Sequence, residues 1–373
     1  MTLIPTVAGP LHLALEVDGD GAHPASWRFA GRPPEAVFTP AAVRESVLAA
    51  ETAGFALATF ADGPTAPTPW PGRDAVGRLE AGTRAAYVSL LTDRIGLAPT
   101  LHAPVTEPFH LATQLAALDH AAHGRAAWIV GAAHDDEARA TIGAEPPTPD
   151  ALRAEVLDVV QVARALWDSW EDDAVVKDVA TGRYLDADKV HHIDFEGATF
   201  SVKGPLITPR PPQGQLVVIV PDELEIDEVG DIVLVRRPDP AAVAQRARQA
   251  RAAGAPLVFA ELEVVLDGAV PAADRLAELD RATPWPAGSA LRHVGSAAQL
   301  VELLRALSGV VDGVRLRPAV LAVDLPVLIA QVLPALRAEG LAQPWPRPGV
   351  TLRTTLGLPR PANRFARAAN PTR

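Results

Sequence analysis

The chain has 373 residues, 48% of them hydrophobic, and carries 34 Lys and Arg against 45 Asp and Glu for a net charge of −11. That length and apolar share suffice for a large buried core, and an α/β barrel routinely runs this long as one unit. The acidic balance argues against nucleic acid or an anionic membrane as partner, since both need a basic surface, and the absence of cysteine rules out disulfides, thiol catalysis and cysteine metal sites. Residues 1–5 (Met-Thr-Leu-Ile-Pro) lack the basic start of a signal peptide. No run reaches the roughly 18 apolar residues of a membrane span. A cytoplasmic protein is therefore expected.

The elements follow from the apolar pattern. Residues 11–17 read as a first strand, and Thr39-Pro40 opens a helix with Val43, Val47 and Ala50 on one face and Gly54 at its end. Strands are expected at 55–61 and 94–101, then a helix over 106–123 with Leu111, Leu115 and Leu118 aligned. A fourth strand at 126–131 precedes a long helix, 151–170, whose core face is Val156, Val159, Val160, Ala163 and Leu166. The stretch 171–212 has no long periodic segment and is rich in charge, Gly and Pro, as a functional loop or an insertion would be. Strands at 215–220 and 231–236 follow, separated by only ten mostly acidic residues, which is short for a parallel crossover. Either the helix is lost there or one strand is wrong. Helix 241–253, strand 256–266, helix 297–307, strand 313–318, helix 325–339 and a proline-rich tail at 359–373 complete the chain.

Eight continuous apolar runs alternating with helices fit strands covered on both faces. The predicted fold is α/β, a (β/α)8 TIM barrel forming one domain over 1–373, with an insertion after the fourth strand. A doubly wound open sheet fits the same alternation. No Gly-x-Gly-x-x-Gly, Gly-Lys-Ser or Gly-x-Ser-x-Gly motif is present, so dinucleotide, P-loop and serine-hydrolase readings have no support.

One stretch is distinctive: Leu166-Trp167-Asp168-Ser169-Trp170-Glu171-Asp172-Asp173, then Thr181-Gly182-Arg183, Asp194-Phe195-Glu196-Gly197, Phe200-Ser201-Val202-Lys203-Gly204-Pro205-Leu206 and Pro209-Arg210-Pro211-Pro212. It resembles the insertion of the nitrilotriacetate and dibenzothiophene-sulfone monooxygenase branch of the bacterial luciferase-like superfamily. Phe60-Ala61-Asp62, Arg94-Ile95-Gly96-Leu97, Glu107-Pro108-Phe109-His110, Gly124-Arg125-Ala126 and Leu356-Gly357-Leu358-Pro359 extend the likeness over nearly the whole chain. The resemblance implies a homo-oligomeric barrel, a dimer or tetramer. It also implies reduced FMN supplied by a separate flavin reductase, and oxidation of a small organic substrate with O2. The site belongs at the C-terminal strand ends. Asp62, Thr100, Ile129 and Trp128 would meet the cofactor, His102 would do acid–base work, and Trp27 and Phe60 would wall the substrate pocket. No metal is expected.

The chain also departs from that pattern. The family's flavin-bonding asparagine is Ile129 here, and a His and a Tyr before the long helix fall on Pro146 and Asp150. The Gly-Ser-Ser phosphate loop after the fifth strand is replaced by Pro221-Asp222-Glu223-Leu224-Glu225, so Asp222, Glu223, Glu225 and Asp227 would confront a phosphate. Two functions therefore stand: a flavin monooxygenase, or a paralogue with a degenerate flavin site that serves as a non-catalytic structural or regulatory partner. Plainer roles stand beside the functional ones. Asp62 in Asp62-Gly63-Pro64 makes a turn cap, and His110 an interior histidine. His134-Asp135-Asp136-Glu137 is a helix start rather than a metal cluster. His191-His192 is a structural part of the insertion.

Overall fold

The computed structural model describes residues 9–65, 77–133, 135–285 and 290–366. Among the described residues nine parallel strands form one sheet: β1 (His12–Glu16), β2 (Leu57–Phe60), β3 (Gly96–His102), β4 (Ala127–Gly131), β5 (Val217–Pro221), β6 (Ile232–Val235), β7 (Leu257–Leu266), β8 (Leu291–Gly295) and β9 (Gly313–Pro318). Eight of them close a barrel, because β1 pairs with both β2 and β9 while β6 pairs with both β5 and β7. Closure removes the open-sheet alternative, and the eight expected strands are the eight that close. The sequence reading missed β8, which lies outside the ring on the far half of β7, with Leu262 opposite Leu291.

The helices are α1 (Pro40–Ala53), α2 (Ala81–Ser89), α3 (Pro108–Ala121), α4 (Asp136–Thr141), α5 (Pro149–Asp168), α6 (Pro240–Ala252), α7 (Ala272–Ala282), α8 (Ala297–Ser308), α9 (Leu321–Val327), α10 (Leu333–Ala338) and α11 (Leu352–Thr355). Gly54 ends α1 in the left-handed region at φ 83°, where a side chain is strained. No α-helix joins β5 to β6. Two short 3-10 turns, Asp222–Leu224 and Asp227–Val229, replace it, so the short connection reflects a lost helix and both strands stand. The segment Leu321–Ala338 is the one helix among the described residues apolar and long enough to cross a membrane. It carries Pro326 inside, passes through a π turn at Leu328–Val332, and buries Leu325, Leu328, Val332 and Leu336 in the core.

Strand alternation sorts the core into two layers. Ala14, Leu57, Ala98, Ala127, Val217, Ile232 and Phe259 point into the barrel, and Leu352, Leu356 and Leu358 close its floor. Leu13, Leu15, Val130, Val218 and Val233 face the helices. After α5 the chain makes two small hairpins, Val175–Asp178 with Arg183–Leu185 and Phe195–Glu196 with Ser201–Val202. Buried Arg210 returns them to the barrel by donating to Asp168 at 2.8 Å and to Asp172 at 2.9 Å. The tail lies across the same segment: Arg360 pairs with Asp172 at 2.6 Å, and Asn363 Nδ2 donates to the carbonyls of Asp168 and Trp170. His191 pairs with Glu171 at 2.8 Å and His192 meets the Gly204 carbonyl at 2.7 Å, so both bind within the insertion.

Candidate functional site

The C-terminal strand ends surround a cavity of about 470 Å³, lined on one side by charge and on the other by apolar side chains. The charged side comes from β1, β7 and β9. Glu261 and Glu263 alternate with Leu262 and Val264, and Arg315 and Arg317 alternate with Val314 and Leu316, so each pair shares the inner face. Arg315 donates to Glu261 Oε2 at 2.7 Å, to Thr59 Oγ1 at 3.0 Å, and to Glu16. Arg317 reaches Glu16 at 3.2 Å, Glu261 at 3.1 Å and Glu263 at 3.3 Å. Burial pushes Glu16 up, but Arg317 and Arg315 beside it outweigh that and hold its carboxyl below the usual range. Ion pairs this enclosed persist because every charge has several partners; removing one leaves another bare.

The opposite wall is Ile129, Leu224, Leu234 and Ala132. Thr100 sits beside Ile129 in register and lines the cavity, and its hydroxyl has no protein partner among the described residues. Asp62 and His102 line it too, but both are engaged. Asp62 accepts from Gly63 N at 2.8 Å and from Ala81 N at 2.6 Å, so its carboxylate ties the loop after β2 to the start of α2. His102 Nδ1 accepts from Ala133 N at 3.0 Å, while Nε2 donates to the Asp62 carbonyl at 3.1 Å. Burial lowers its pKa, which matches a neutral ring with both nitrogens used.

The three aromatic side chains expected at the mouth are not among the residues that line it. Phe60 and Trp128 occupy the other strand register, fully buried between sheet and helices, where Trp128 Nε1 donates to the Leu101 carbonyl at 3.0 Å. Trp27 lies on the short helix Ser26–Phe29 with the Arg28 guanidinium 5.0 Å over its ring. His110 is exposed at the start of α3 rather than interior. Asp135 caps α4 by accepting from Ala138 N at 2.8 Å, while His134 lies outside the described residues. Among the described residues no group of His, Asp and Glu is arranged to hold a metal. The acidic loop after β5 also divides: only Glu223 lines the cavity, whereas Asp222 turns to Arg237 at 2.6 Å and Asp227 to Arg246 at 2.7 Å.

The sequence reading missed Arg236, Glu261, Glu263, Arg315 and Arg317. The signal was available: like charges two apart inside an apolar strand point the same way, and a face carrying Glu-x-Glu needs one carrying Arg-x-Arg opposite.

Residues 21–306 match the family model described as luciferase-like monooxygenase, more than half of the chain. The chain belongs to the luciferase-like monooxygenase family. Among curated relatives, the chain is 33% identical over 210 residues to N-acetyl-S-(2-succino)cysteine monooxygenase of Bacillus subtilis (strain 168), covering 56% of this chain and 47% of that one. It is 38% identical over 143 residues to nitrilotriacetate monooxygenase component A of Aminobacter aminovorans, covering 38% and 31% respectively. The chain thus spans about half or less of these two relatives. The structure of EDTA monooxygenase (EmoA) from Chelativorans sp. BNC1 superposes with a TM-score of 0.78 at 22% identity, covering 94% of this chain and 99% of that one, and so shares its fold. These matches agree with the branch indicated by the insertion.

The two halves of FMN, the cofactor the family implies, meet this mouth differently. A flat ring suits the apolar wall and the unused Thr100 hydroxyl. The phosphate dianion does not suit it. Anion sites in such folds use free N–H groups at helix starts, and the helices that open onto this cavity are already capped. Glu80 and Asp62 take the N–H groups of Ala81, Gly82 and Thr83 on α2, and Asp135 takes Ala138 N on α4. Between β5 and β6 no α-helix offers its start, only the 3-10 turns Asp222–Leu224 and Asp227–Val229. Among the described residues the mouth thus offers the ring an apolar wall but the phosphate no uncapped helix start.

Proposed function

We propose that this chain is a flavin-dependent monooxygenase of the luciferase-like kind. It oxidises a small organic substrate with O2 at the barrel mouth, using a reduced flavin delivered by a separate reductase. The observation that carries this reading is the Thr100 hydroxyl, unpartnered among the described residues, against the Ile129–Leu234 wall of a cavity of about 470 Å³. In this reading Thr100 orients the flavin ring and Ile129 and Leu234 keep water from one face. Asp62 and His102 act as positioning residues that fix the loops around the ring. The arginines and glutamates of β1, β7 and β9 form a rigid polar floor. The test is an anaerobic titration with oxidised and reduced flavins, followed by absorbance, for the wild type and Ile129→Trp. Saturable binding in the wild type and its loss when tryptophan fills the slot are expected; no binding in either redox state overturns the reading.

A second reading has its own support. Asp62 and His102 spend their hydrogen bonds on backbone groups, and Ile129 has none to offer. A family member that has stopped binding flavin and serves as a structural or regulatory partner would keep the fold and this pattern. The same titration separates the two readings.

A further inference from the structure

We infer that the mouth selects against the flavin phosphate, so that the chain prefers riboflavin, the dephosphorylated flavin, to FMN. This rests on the flavin reading above and concerns the same cavity. Five carboxylates line it: Glu16, Asp62, Asp135, Glu223 and Glu261. Four guanidinium groups line it as well, but Arg315 and Arg317 are saturated by Glu16, Glu261 and Glu263. Arg236 stands 3.5 Å from Glu261 and 3.7 Å from Glu263, so it too has an anion beside it. Arg78 alone among the four has no hydrogen bond or ion pair among the described residues. One such cation cannot offset a dianion placed among carboxylates, and the helix N–H groups that hold phosphates elsewhere are taken here by Glu80, Asp62 and Asp135. The neutral ribityl end of riboflavin carries hydroxyl donors that suit a carboxylate-lined rim.

Riboflavin and FMN share the ring and the ribityl chain, so their affinity ratio isolates the phosphate. The experiment is a fluorescence-quenching titration of the full chain with each flavin, repeated anaerobically with the reduced forms by calorimetry. Glu223→Gln and Arg78→Ala are measured alongside. Riboflavin is expected to bind about tenfold or more tighter than FMN, a factor within reach of one uncompensated charge contact. Glu223→Gln is expected to improve FMN several-fold and so to narrow the ratio between the two flavins, since the amide oxygen still accepts from a ribityl hydroxyl. Equal affinities, or an FMN preference that Arg78→Ala abolishes, overturn the inference while leaving the flavin reading intact. Failure of both flavins to bind overturns the flavin reading, and the inference with it.

Discussion

Arg315 and Glu261 meet inside the barrel at 2.7 Å, with side chains only 10% and 5% exposed. The same guanidinium also serves Glu16 and Thr59. Replacing Arg315 by Met keeps the volume but leaves two carboxylates without that partner. Breaking a buried pair this way costs about 3–5 kcal/mol, whereas replacing the whole group by neutral residues is often nearly free. Arg315→Met is therefore expected to lower the urea midpoint sharply, and adding Glu16→Gln with Glu261→Gln to restore most of it. A single variant as stable as the wild type would show that Arg317 alone neutralises both carboxylates.

His102 and Gly131 form a second coupled pair. A Cβ on Gly131 would stand 2.6 Å from His102 Nδ1, closer than real contacts allow. Gly131→Ala should thus expel the ring and break its bonds to Ala133 N and the Asp62 carbonyl. The expected loss is about 1–3 kcal/mol. His102→Ala should lose a similar amount, and the double variant should cost less than the sum, as contacting residues do. Strict additivity in chemical unfolding would contradict the geometry. Because both nitrogens are engaged, His102→Gln is also expected to leave the acid limb of any pH–rate profile unmoved.

The fold was legible because its signals are redundant. Eight apolar runs marked the eight barrel strands, and the insertion's Trp167, Trp170 and Arg210 mark a segment that docks by specific contacts: Trp170 Nε1 donates to the Leu206 carbonyl at 2.8 Å. Helices α2 and α7 were missed because small, charged and polar residues dilute their periodicity, as in Ala81-Gly82-Thr83-Arg84. The site was half legible. Asp62, Thr100, His102 and Ile129 reach the mouth because strand ends converge there whatever the register. Phe60 and Trp128 fail to reach it because a strand shows alternate residues to opposite sides, and one position decides which. The arginine–glutamate lattice stayed hidden inside runs read as apolar, since its pairing joins β1, β7 and β9, far apart in the chain.

Asp62 couples the cavity rim to the start of α2. Its two oxygens hold Gly63 N and Ala81 N, so Asp62→Ala frees the loop after β2 from the start of α2, whose cap Glu80 remains. Loss of such bonds costs about 1 kcal/mol. The variant should remain folded by circular dichroism, and its flavin affinity should fall several-fold because the cavity rim loosens. Unchanged affinity in a folded Asp62→Ala protein would remove Asp62 from the site.

Asp119 sets a pH dependence far from the mouth. It is fully buried, accepts from Ala126 N at 3.0 Å and from Gln213 Nε2 at 2.7 Å, and burial, partly opposed by those bonds, raises its pKa to about 7. A carboxyl raised above its unfolded value of 3.8 stabilises fully below that value and loses the contribution as pH rises through about 7. At about 1.4 kcal/mol per unit the span is a few kcal/mol. His12 acts in the opposite sense: burial lowers it to about 4, so its contribution is present above 6.5 and lost as pH falls through about 4. The two partly cancel in the wild type. Asp119→Asn keeps the volume and an acceptor oxygen for Gln213 Nε2 and Ala126 N while removing the titrating proton. The variant should show stability rising with pH between about 4 and 6.5, with no decline toward pH 8. Urea midpoints across that range check it, and a variant that follows the wild-type curve would place the titration of Asp119 outside the folded state's energetics.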